Sequence, residues 1–484
     1  MKQSRVRAIA IGLMAILTGC IQTTLNQTPT QAPIPPPAPT QDATEIVVLP
    51  GELVDYIAQS GDTLSALAGH FNTTIVEILD ANPELSTDLS TLPKGLPLRI
   101  PAYLLPLTGP EFHIIPDSEL VNGPSARSFD VAQEVQMRPG FLLNASDYVY
   151  ARQRPAWEII QIVANEYSLH PRLLLTLLEY RANALSDNDP DPGLRADPLR
   201  IDDPLLEGLY SQLQWVAERL NEGYYAWRAG AMQELEVLDG FIIRPDPWQN
   251  AGTVALYNLF AHWYGLSELN SAVNPEGFHE TFRVLWGDPL AYEIELIPSD
   301  LEQPLLTLPF QPGIVWDYSG GPHSTWGKSL PLGAIDLAPP AAEGGCAESD
   351  VWITAPVSGK IVRSGQSAVL LDMDGDGDER TGWVLLFYHV AEKDRIAEGV
   401  EISLGGLIGH PSCEGGRSTG THFHYARKYN GEWISAGGSP AFEMDGWIVG
   451  YGDEPFLGTM TKGSVTIEAC TCTTSANQII YHFP

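Results

Sequence analysis

The chain has 484 residues, which is too long for one compact core, and its composition changes several times along its length. We therefore expect two or three folded units. Asp and Glu number 60 against 27 Lys and Arg, a formal net charge of −33. This acidity argues against broad electrostatic binding to DNA, RNA or an anionic membrane surface. It is typical of an acidic, solvated surface and leaves room for cationic partners.

The N-terminus has the pattern of an exported protein. Three basic residues precede the apolar run 8–17, which is long enough for a secretory signal but too short to span a bilayer comfortably. The motif Leu17-Thr18-Gly19-Cys20 resembles the lipobox of bacterial lipoproteins. The resemblance implies a signal peptide over 1–19 and acyl chains on Cys20 that anchor the protein to the outer face of the cell membrane. An ordinary secretory signal that ends near a cysteine is the alternative.

Residues 20–47 are mostly Thr, Gln, Pro and Ala, with a proline-rich run at 33–39. Such a segment cannot bury enough apolar area to fold. We expect an extended tether with polyproline character.

Four further cysteines, Cys346, Cys413, Cys470 and Cys472, would reach an oxidising compartment on export and are predicted to form disulfides. Four cysteines allow three connectivities, and the sequence does not choose among them. Cys470 and Cys472 are so close in the chain that a bridge between them is not expected. No Cys-x-x-Cys spacing is present, which argues against a zinc-thiolate site.

Residues 48–104 predict a small unit with the order strand, helix, helix, strand. Asp62 or Thr63 can cap the first helix, and Thr74 opens a second helix that stops at Asn82-Pro83. These motifs, with the Leu-Pro-Lys-Gly run at 92–95, resemble a LysM module over the whole unit.

The LysM resemblance implies binding of glycans that contain N-acetylglucosamine. The binding groove would lie between the loop after the first strand and the loop after the second helix. The residues so implicated are Gly61, Asp62, Thr63, Asn82 and Pro83. Each of them is also a common turn or cap residue, which is the alternative explanation.

A linker is predicted over 105–140, followed by an all-α domain over 141–297. Apolar residues recur there at spacings of three and four. The leucine-rich helix with Glu179 faintly resembles the catalytic helix of lysozyme-like transglycosylases, which have serine after the acid where this chain has Tyr180. A lone Glu on a helix is usually solvated or ion-paired, so we expect a packing or substrate-orienting domain.

After Pro298 the pattern changes to short β-rich runs separated by Gly, Pro and Asp, which predicts an antiparallel β-sheet domain over 298–484. Side chains on a strand alternate between faces, so His422 and His424 should project together. Phe423 and Tyr425 should then point the opposite way, into the sheet packing.

Two more segments carry candidate chemistry. His389 ends a hydrophobic strand, where a core histidine is the alternative. Gly320-Gly321-Pro322-His323 is predicted as a glycine-rich loop, and Asp336 lies on a buried strand where its carboxylate would be costly without a partner such as a metal. A catalytic zinc commonly takes three protein ligands and leaves one position for water. His323, Asp336 and His424 fit that set.

This segment resembles the LytM or lysostaphin-type metallopeptidases, above all their β-lytic and staphylolysin branch. The common lysostaphin pattern has a histidine four positions before the Asp, where this chain has Leu332. The β-lytic branch instead takes its first histidine from an upstream Gly-Gly-x-His segment. The resemblance implies zinc ligands His323, Asp336 and His424, with His389 and His422 as catalytic histidines that transfer protons and stabilise the oxyanion.

The acidic run 372–379 begins like an EF-hand loop. Its twelfth position is Trp383 instead of Glu, and no helices are predicted on either side. A polar hairpin tip is therefore favoured over a calcium site.

The first hypothesis is a zinc endopeptidase that hydrolyses peptide bonds in peptidoglycan and is brought to that polymer by the LysM module. Peptidoglycan and, through the lipid, the membrane are then the partners, and nucleic acid is not. The second hypothesis is a non-catalytic LytM-type scaffold that regulates other cell-wall hydrolases. The third is a zinc protease that acts on secreted proteins.

Overall fold

A computed structural model describes residues 49–86, 91–103, 112–201, 203–340, 344–472 and 474–481. The predicted signal peptide, Cys20 and the tether lie outside these residues. Within the described part of the chain, no helix combines the length and the apolar character that crossing a bilayer requires.

The N-terminal unit has the predicted order of strand, helix, helix and strand. Thr63 caps the first helix by accepting a hydrogen bond from the Ala66 amide, and Thr74 forms a capping box with Glu77 at the second. The two strands pair antiparallel over a small core that includes Tyr56 and Phe71. The elements are β1 (Glu52–Ile57), α1 (Leu64–His70), α2 (Ile75–Ala81) and β2 (Pro97–Ala102).

The middle of the chain is mainly helical, but the prediction of an all-α domain is wrong in detail, because the region also contains two short β-hairpins. Its longer helices bury apolar side chains in one core, in which the leucines of 173–178 are fully buried. The elements are α3 (Val131–Gln136), β3 (Ser146–Val149), β4 (Arg152–Pro155), α4 (Ala156–Tyr167), α5 (Pro171–Ala182), α6 (Pro192–Ala196), α7 (Leu209–Arg228), β5 (Leu235–Glu236), β6 (Ile242–Ile243), α8 (Ala251–Ala261), α9 (Leu266–Val273) and α10 (Phe278–Trp286).

The segment predicted as a linker is structured from residue 112 onward. Ile114, Leu120 and Val135 are buried in the helical core, and Asp130 caps α3. The linker interpretation is therefore wrong for 112–140, because these apolar residues are spaced irregularly and their burial depends on contacts with distant helices.

The C-terminal part is built from antiparallel strands, as predicted. Its main sheet has the strand order β13-β10-β11-β12-β15-β8-β7-β21, with β16 paired to β15. The strands are β7 (Val315–Ser324), β8 (Leu332–Ala338), β9 (Ile353–Thr354), β10 (Gly359–Gly365), β11 (Ala368–Asp372), β12 (Trp383–Tyr388), β13 (Glu401–Ile402), β14 (Leu407–Gly409), β15 (Phe423–Tyr429), β16 (Glu432–Trp433), β17 (Glu443–Met444), β18 (Trp447–Tyr451), β19 (Gly458–Lys462), β20 (Val465–Glu468) and β21 (Gln478–Ile480).

The two faces of the main sheet pack against different cores. Phe423 and Tyr425 belong to a core inside the β-domain, which confirms the predicted orientation of these side chains. Ala426, the next residue of β15, and Ala334 of β8 belong instead to the core of the helical domain. The helical domain therefore covers part of one face of the sheet.

The three parts of the described chain meet at Arg228, at the end of α7. Its guanidinium donates a hydrogen bond to the Ser60 carbonyl of the first unit. It also forms ion pairs of 3.2 Å with Asp117 of the helical domain and of 3.2 Å with Glu432 of the β-domain. A buried guanidinium with these partners is well satisfied, because its donors reach acceptors in several directions.

All four described cysteines are bridged, as predicted, in the pairs Cys346–Cys413 and Cys470–Cys472. The expectation that Cys470 and Cys472 would pair elsewhere is wrong. A tight turn of the chain brings their Cα atoms to 5.1 Å, which is within the normal range for a disulfide.

The β11–β12 hairpin carries a buried ion network. Glu379 lies 2.7 Å from Lys428 and 3.0 Å from Arg363, and its side chain is only 12% exposed. Burial alone would raise the pKa of Glu379, but the two cations more than offset this effect and hold the pKa below its ordinary value of 4.5.

We predict that Glu379→Gln lowers the free energy of unfolding by about 3–5 kcal/mol, because it leaves the buried Lys428 and the half-buried Arg363 without their carboxylate. The measurement is urea denaturation at pH 7. The matched control is Asp445→Asn, which removes the exposed pair with Lys462 and should cost less than about 1 kcal/mol.

The network around Glu379 also predicts how the stability of the protein depends on pH. A carboxyl group whose pKa is lowered in the folded state stabilises the protein fully above 4.5 and loses that contribution as the pH falls. Glu379→Gln should therefore flatten the acid side of the stability curve. Two results would contradict the proposed role of the network. One is an equal loss of unfolding free energy in Glu379→Gln and Asp445→Asn, and the other is a Glu379→Gln variant that loses stability at low pH as steeply as the parent.

Candidate metal centre

Three neighbouring strands bring His323, Asp336 and His424 together. In the antiparallel register of β8 and β15, Asp336 lies directly opposite His424. On its other side β8 pairs with β7, where Gly320 lies opposite Asp336 and the register shifts repeatedly before His323. The predicted Gly-Gly-Pro-His loop is thus an irregular part of a strand, because the glycines let two backbones and a carboxylate approach closely.

Both glycines are required by contacts. A Cβ atom on Gly320 would lie 2.7 Å from Oδ2 of Asp336, and one on Gly321 would lie 2.4 Å from the backbone of Leu457. Both distances are too short for real side chains. The two glycines therefore allow neighbouring segments of the chain to approach closely.

The ligand atoms of the three residues converge on one point. His323 Nε2 lies 2.9 Å from His424 Nδ1 and 3.3 Å from Asp336 Oδ1, and His424 Nδ1 lies 3.5 Å from the same oxygen. None of the three residues is more than 9% exposed. This geometry can hold one small cation.

The backbone sets which nitrogen of each ring faces the site. His323 Nδ1 lies 2.8 Å from the Gly321 carbonyl, and His424 Nε2 lies 3.0 Å from the Thr325 carbonyl. A ring N–H donated to a carbonyl leaves the lone pair on the other nitrogen. Two lone pairs and a carboxylate oxygen therefore face one another, and this arrangement favours a shared proton or a metal ion between them.

Asp336 supplies the negative charge. Its Oδ1 is buried and has no hydrogen-bond donor among the described residues. Burial alone would raise the pKa of Asp336, but positive charge on the adjacent imidazoles, first among them His323, holds the pKa well below its ordinary range. The carboxylate therefore stays ionised inside the protein, where it can act as a ligand.

The Asp336 carboxylate and burial act in opposite directions on the two ligand histidines. Burial lowers the pKa of His323, but the carboxylate outweighs it, so the pKa lies above its ordinary value. For His424 burial dominates and the pKa is lowered.

Two further histidines line the same site. His422 Nε2 lies 3.7 Å from Asp336 Oδ1, and its Nδ1 lies 2.7 Å from the Gly420 carbonyl. The ring of His389 lies 4.7 Å from that of His422 and is anchored by its Nδ1, 2.8 Å from the Glu414 carbonyl. Burial, and then the neighbouring His422, lower the pKa of His389 to about 4. All five residues predicted from the sequence thus share one site.

A disulfide braces the strand that carries His422. Ser412 forms an isolated β-bridge with His422, and Cys413 follows Ser412 directly. Its partner Cys346 follows Gly345, whose carbonyl accepts a hydrogen bond of 2.9 Å from the Thr421 amide. The bridge therefore connects the two segments on either side of this histidine.

One residue at the site was not found by sequence reasoning. The ring of Phe456 stacks on His323 with centroids 4.2 Å apart, and its backbone pairs with Gly321 and Pro322 through hydrogen bonds of 2.8 and 3.1 Å. Phe456 has a φ of 70° and is 54% exposed. Neither its position in the chain nor its flanking residues signal this contact, since it forms only when the 452–457 loop returns to β7.

Other predicted residues have structural partners. Glu179 accepts a hydrogen bond of 2.7 Å from the Leu185 amide, so its carboxylate stabilises the turn after α5. Asp372, Asp374 and Asp376 come close enough to hold a cation, but they also cap successive backbone amides in the β11–β12 hairpin. The run is thus a hairpin tip, as predicted.

The residues predicted to bind glycan also have local structural roles. Asn82 donates to two backbone carbonyls at 2.7 and 2.8 Å and accepts from the Arg99 amide. Asp62 accepts two hydrogen bonds of 2.7 Å within its own turn, Thr63 is a cap, and Gly61 has a φ of 79°. Pro83 is exposed. Glycan binding by these residues stays a prediction.

Comparison with known proteins agrees with these observations. A LysM family model matches residues 56–101, and a model described as the LasA N-terminal domain matches residues 113–299. Protease LasA of Pseudomonas aeruginosa is 27% identical over an alignment of 369 residues, which covers 71% of this chain and 78% of that protein. The β-lytic metalloendopeptidase of Achromobacter lyticus is 26% identical over 142 residues, 28% of this chain and 36% of the relative.

The chain is a LytM-type metallopeptidase with a LysM domain. Among solved structures, the M23 metalloprotease pseudoalterin matches 34% of the peptidase described here, at 22% identity and a TM-score of 0.29, and 96% of its own chain. The alignment with Protease LasA is longer than either the helical domain or the β-domain of this peptidase. It therefore extends over both of them.

We predict that Asp336→Asn and His424→Ala weaken Zn²⁺ binding by more than the roughly 10–100-fold that follows loss of an outer-sphere group. His389→Ala should retain most of the affinity, because its ring is not among the three converging ligands. The measurement is competition with a zinc-sensitive dye. Unchanged affinity in Asp336→Asn would contradict the site.

We also predict that Phe456→Ala weakens Zn²⁺ binding by about tenfold, since it removes the ring that holds His323 in place. Phe456→Tyr keeps the stacking surface and should bind Zn²⁺ like the parent. If both variants matched the parent, Phe456 would have no part in positioning His323.

Proposed function

We propose that this metallopeptidase uses zinc to hydrolyse peptide bonds in the stem peptides or cross-bridges of peptidoglycan. Its LysM domain would bind the N-acetylglucosamine-containing glycan of the same polymer. A lipid on Cys20, which lies outside the described residues, would hold the protein at the outer face of the cell membrane.

The observation that carries the proposal is the arrangement of His323, Asp336 and His424. Two imidazole nitrogens with their lone pairs directed inward and one ionised carboxylate oxygen form the donor set that zinc takes in catalytic sites. The buried Asp336 Oδ1 without a donor fits a metal ligand, because an unpaired buried carboxylate oxygen is otherwise costly. The donors therefore suit zinc.

Zinc bound at such a site lowers the pKa of a water molecule toward neutrality and polarises a carbonyl group. The chain itself supplies the proton transfer. His389 and His422 have Nδ1 bound to backbone carbonyls, so their Nε2 atoms are free to accept a proton from water and to donate it to the leaving amine. The pKa of His389, lowered to about 4 by burial, keeps that ring neutral at pH 7, so its Nε2 carries a lone pair.

The domain composition supports peptidoglycan as the substrate. A LysM domain is joined to the peptidase domain in one chain, and the resemblance of LysM implies binding of N-acetylglucosamine polymers. Relatives named for protease and β-lytic metalloendopeptidase activity support peptide-bond hydrolysis. The intact set of donors argues against a non-catalytic scaffold.

The test is digestion of purified peptidoglycan by the full chain after Cys20, with new amino groups and new reducing ends measured separately. We expect the zinc-loaded parent to release amino groups. His422→Ala should lower the rate by about 100-fold or more, because it removes a proton-transfer group.

The matched control is His410→Gln. His410 is also buried and has its Nδ1 2.8 Å from a backbone carbonyl, but it lies outside the converging ligands. The His410→Gln variant should release amino groups from peptidoglycan at nearly the parental rate. Release of reducing ends would indicate a glycosidase, and bound zinc with no release of amino groups from peptidoglycan would overturn the proposed substrate.

A further inference from the structure

The rest of the chain contacts two LysM loops, one that holds Gly61, Asp62 and Thr63 and one that lies between Pro83 and the second strand. We define the LysM loop face as residues 59–63 and 91–95, which the hydrogen bond of 2.7 Å from the Leu92 amide to the Asp62 carbonyl joins into one surface. Arg228 lies against the first loop. A Cβ atom on Gly61 would lie 1.8 Å from its Nη1, so the guanidinium occupies the space beside this glycine.

The second loop also contacts the rest of the chain. The Thr91 hydroxyl donates to the Pro298 carbonyl at 3.3 Å, and Lys94 forms an ion pair of 2.7 Å with Glu293. Next to the loop face, His70 of α1 stacks on Trp227 with ring centroids 3.7 Å apart and lies 2.8 Å from its carbonyl. Both loops are thus engaged by residues outside the LysM domain.

The space left between the first loop and the end of α7 is too small for a sugar. The cavity between the first loop and the end of α7 has a volume of about 10 Å³. Such a cavity holds at most about one water molecule, whereas a sugar ring is many times larger. A sugar can therefore enter the space beside Gly61 only if the end of α7 moves away from it.

We propose that this contact is autoinhibitory, in that the helical domain and an N-acetylglucosamine-containing glycan compete for the LysM loop face. The inference rests on the proposed glycan binding of the LysM domain and goes beyond it, because it assigns a second, intramolecular occupant to the same face. The apparent affinity for glycan is then the affinity of the open arrangement reduced by the open fraction. By reciprocity, bound glycan releases the end of α7.

Gly69 offers a selective way to open the contact. It lies in α1, and a Cβ atom there would lie 2.1 Å from the carbonyl oxygen of Gly230, a backbone atom that cannot swing aside. Alanine and leucine are better helix formers than glycine, so Gly69→Ala and Gly69→Leu should preserve α1 while they disrupt docking. The matched control is Val76→Ala in α2, whose side chain is 66% exposed.

The test measures binding of an N-acetylglucosamine pentamer to the full chain by calorimetry, together with hydrogen exchange of residues 226–231. We expect Gly69→Leu to bind about tenfold or more tightly than the parent and Val76→Ala. Segment 226–231 should exchange faster in Gly69→Leu without glycan, and faster in the parent when glycan is saturating.

The possible results separate this inference from the proposed function. If the parent binds the pentamer while 226–231 stays protected, the glycan uses another face and the inference is overturned, although glycan binding stands. Faster exchange in Gly69→Leu with no binding of the pentamer would overturn the glycan-binding role of the LysM domain and the competition with it. If residues 226–231 of Gly69→Leu do not exchange faster and the variant does not bind the pentamer more tightly than the parent, the contact between the LysM loops and the helical domain does not inhibit glycan binding.

Discussion

The antiparallel pairing of β8 with β15 is the constraint on which the candidate metal centre depends. It places Asp336 opposite His424, so a shift of the register by one residue would turn one of the two side chains to the other face of the sheet. The buried apolar side chains of the same strands resist such a shift, because Phe423 and Tyr425 would leave their core. Packing on one face of the sheet thus fixes the chemistry on the other.

The face that carries the ligands also binds the helical domain. Ala426 and Ala334, each two residues from a ligand on the same strand, belong to the helical core. The helical domain and the β-domain are further joined by close backbone contacts, such as the one between Gly431 and the Asn122 carbonyl. The candidate metal centre therefore lies next to a domain interface, where buried groups are shielded from water and their electrostatic interactions are strengthened.

Arg228 extends this coupling to the LysM domain. Its ion pair with Glu432 is close to β15, while its hydrogen bond to Ser60 reaches the first loop of the LysM domain. One buried cation thus contacts both the unit proposed to bind glycan and the domain proposed to cut peptide bonds. If glycan displaces this contact, substrate binding at the LysM domain would change the surroundings of the helical domain that borders the active site.

The sequence by itself determined the local features. Helix caps at Thr63 and Thr74, the alternation of His422 and His424 with apolar residues, and the isolated buried Asp336 are set by short-range rules, and each predicted its element or its orientation. The five histidine and aspartate positions were recognised because their residue types and order are characteristic.

Only the tertiary structure decided the rest. The carbonyl partners of each histidine, the stacking of Phe456 on His323, the Cys470–Cys472 bridge, the burial of residues 112–140 and the docking of the LysM loops on Arg228 all depend on irregular backbone or on contacts between distant segments. Periodicity and spacing report which face of an element is buried. They do not report which distant residue covers that face, because this depends on how whole domains pack together.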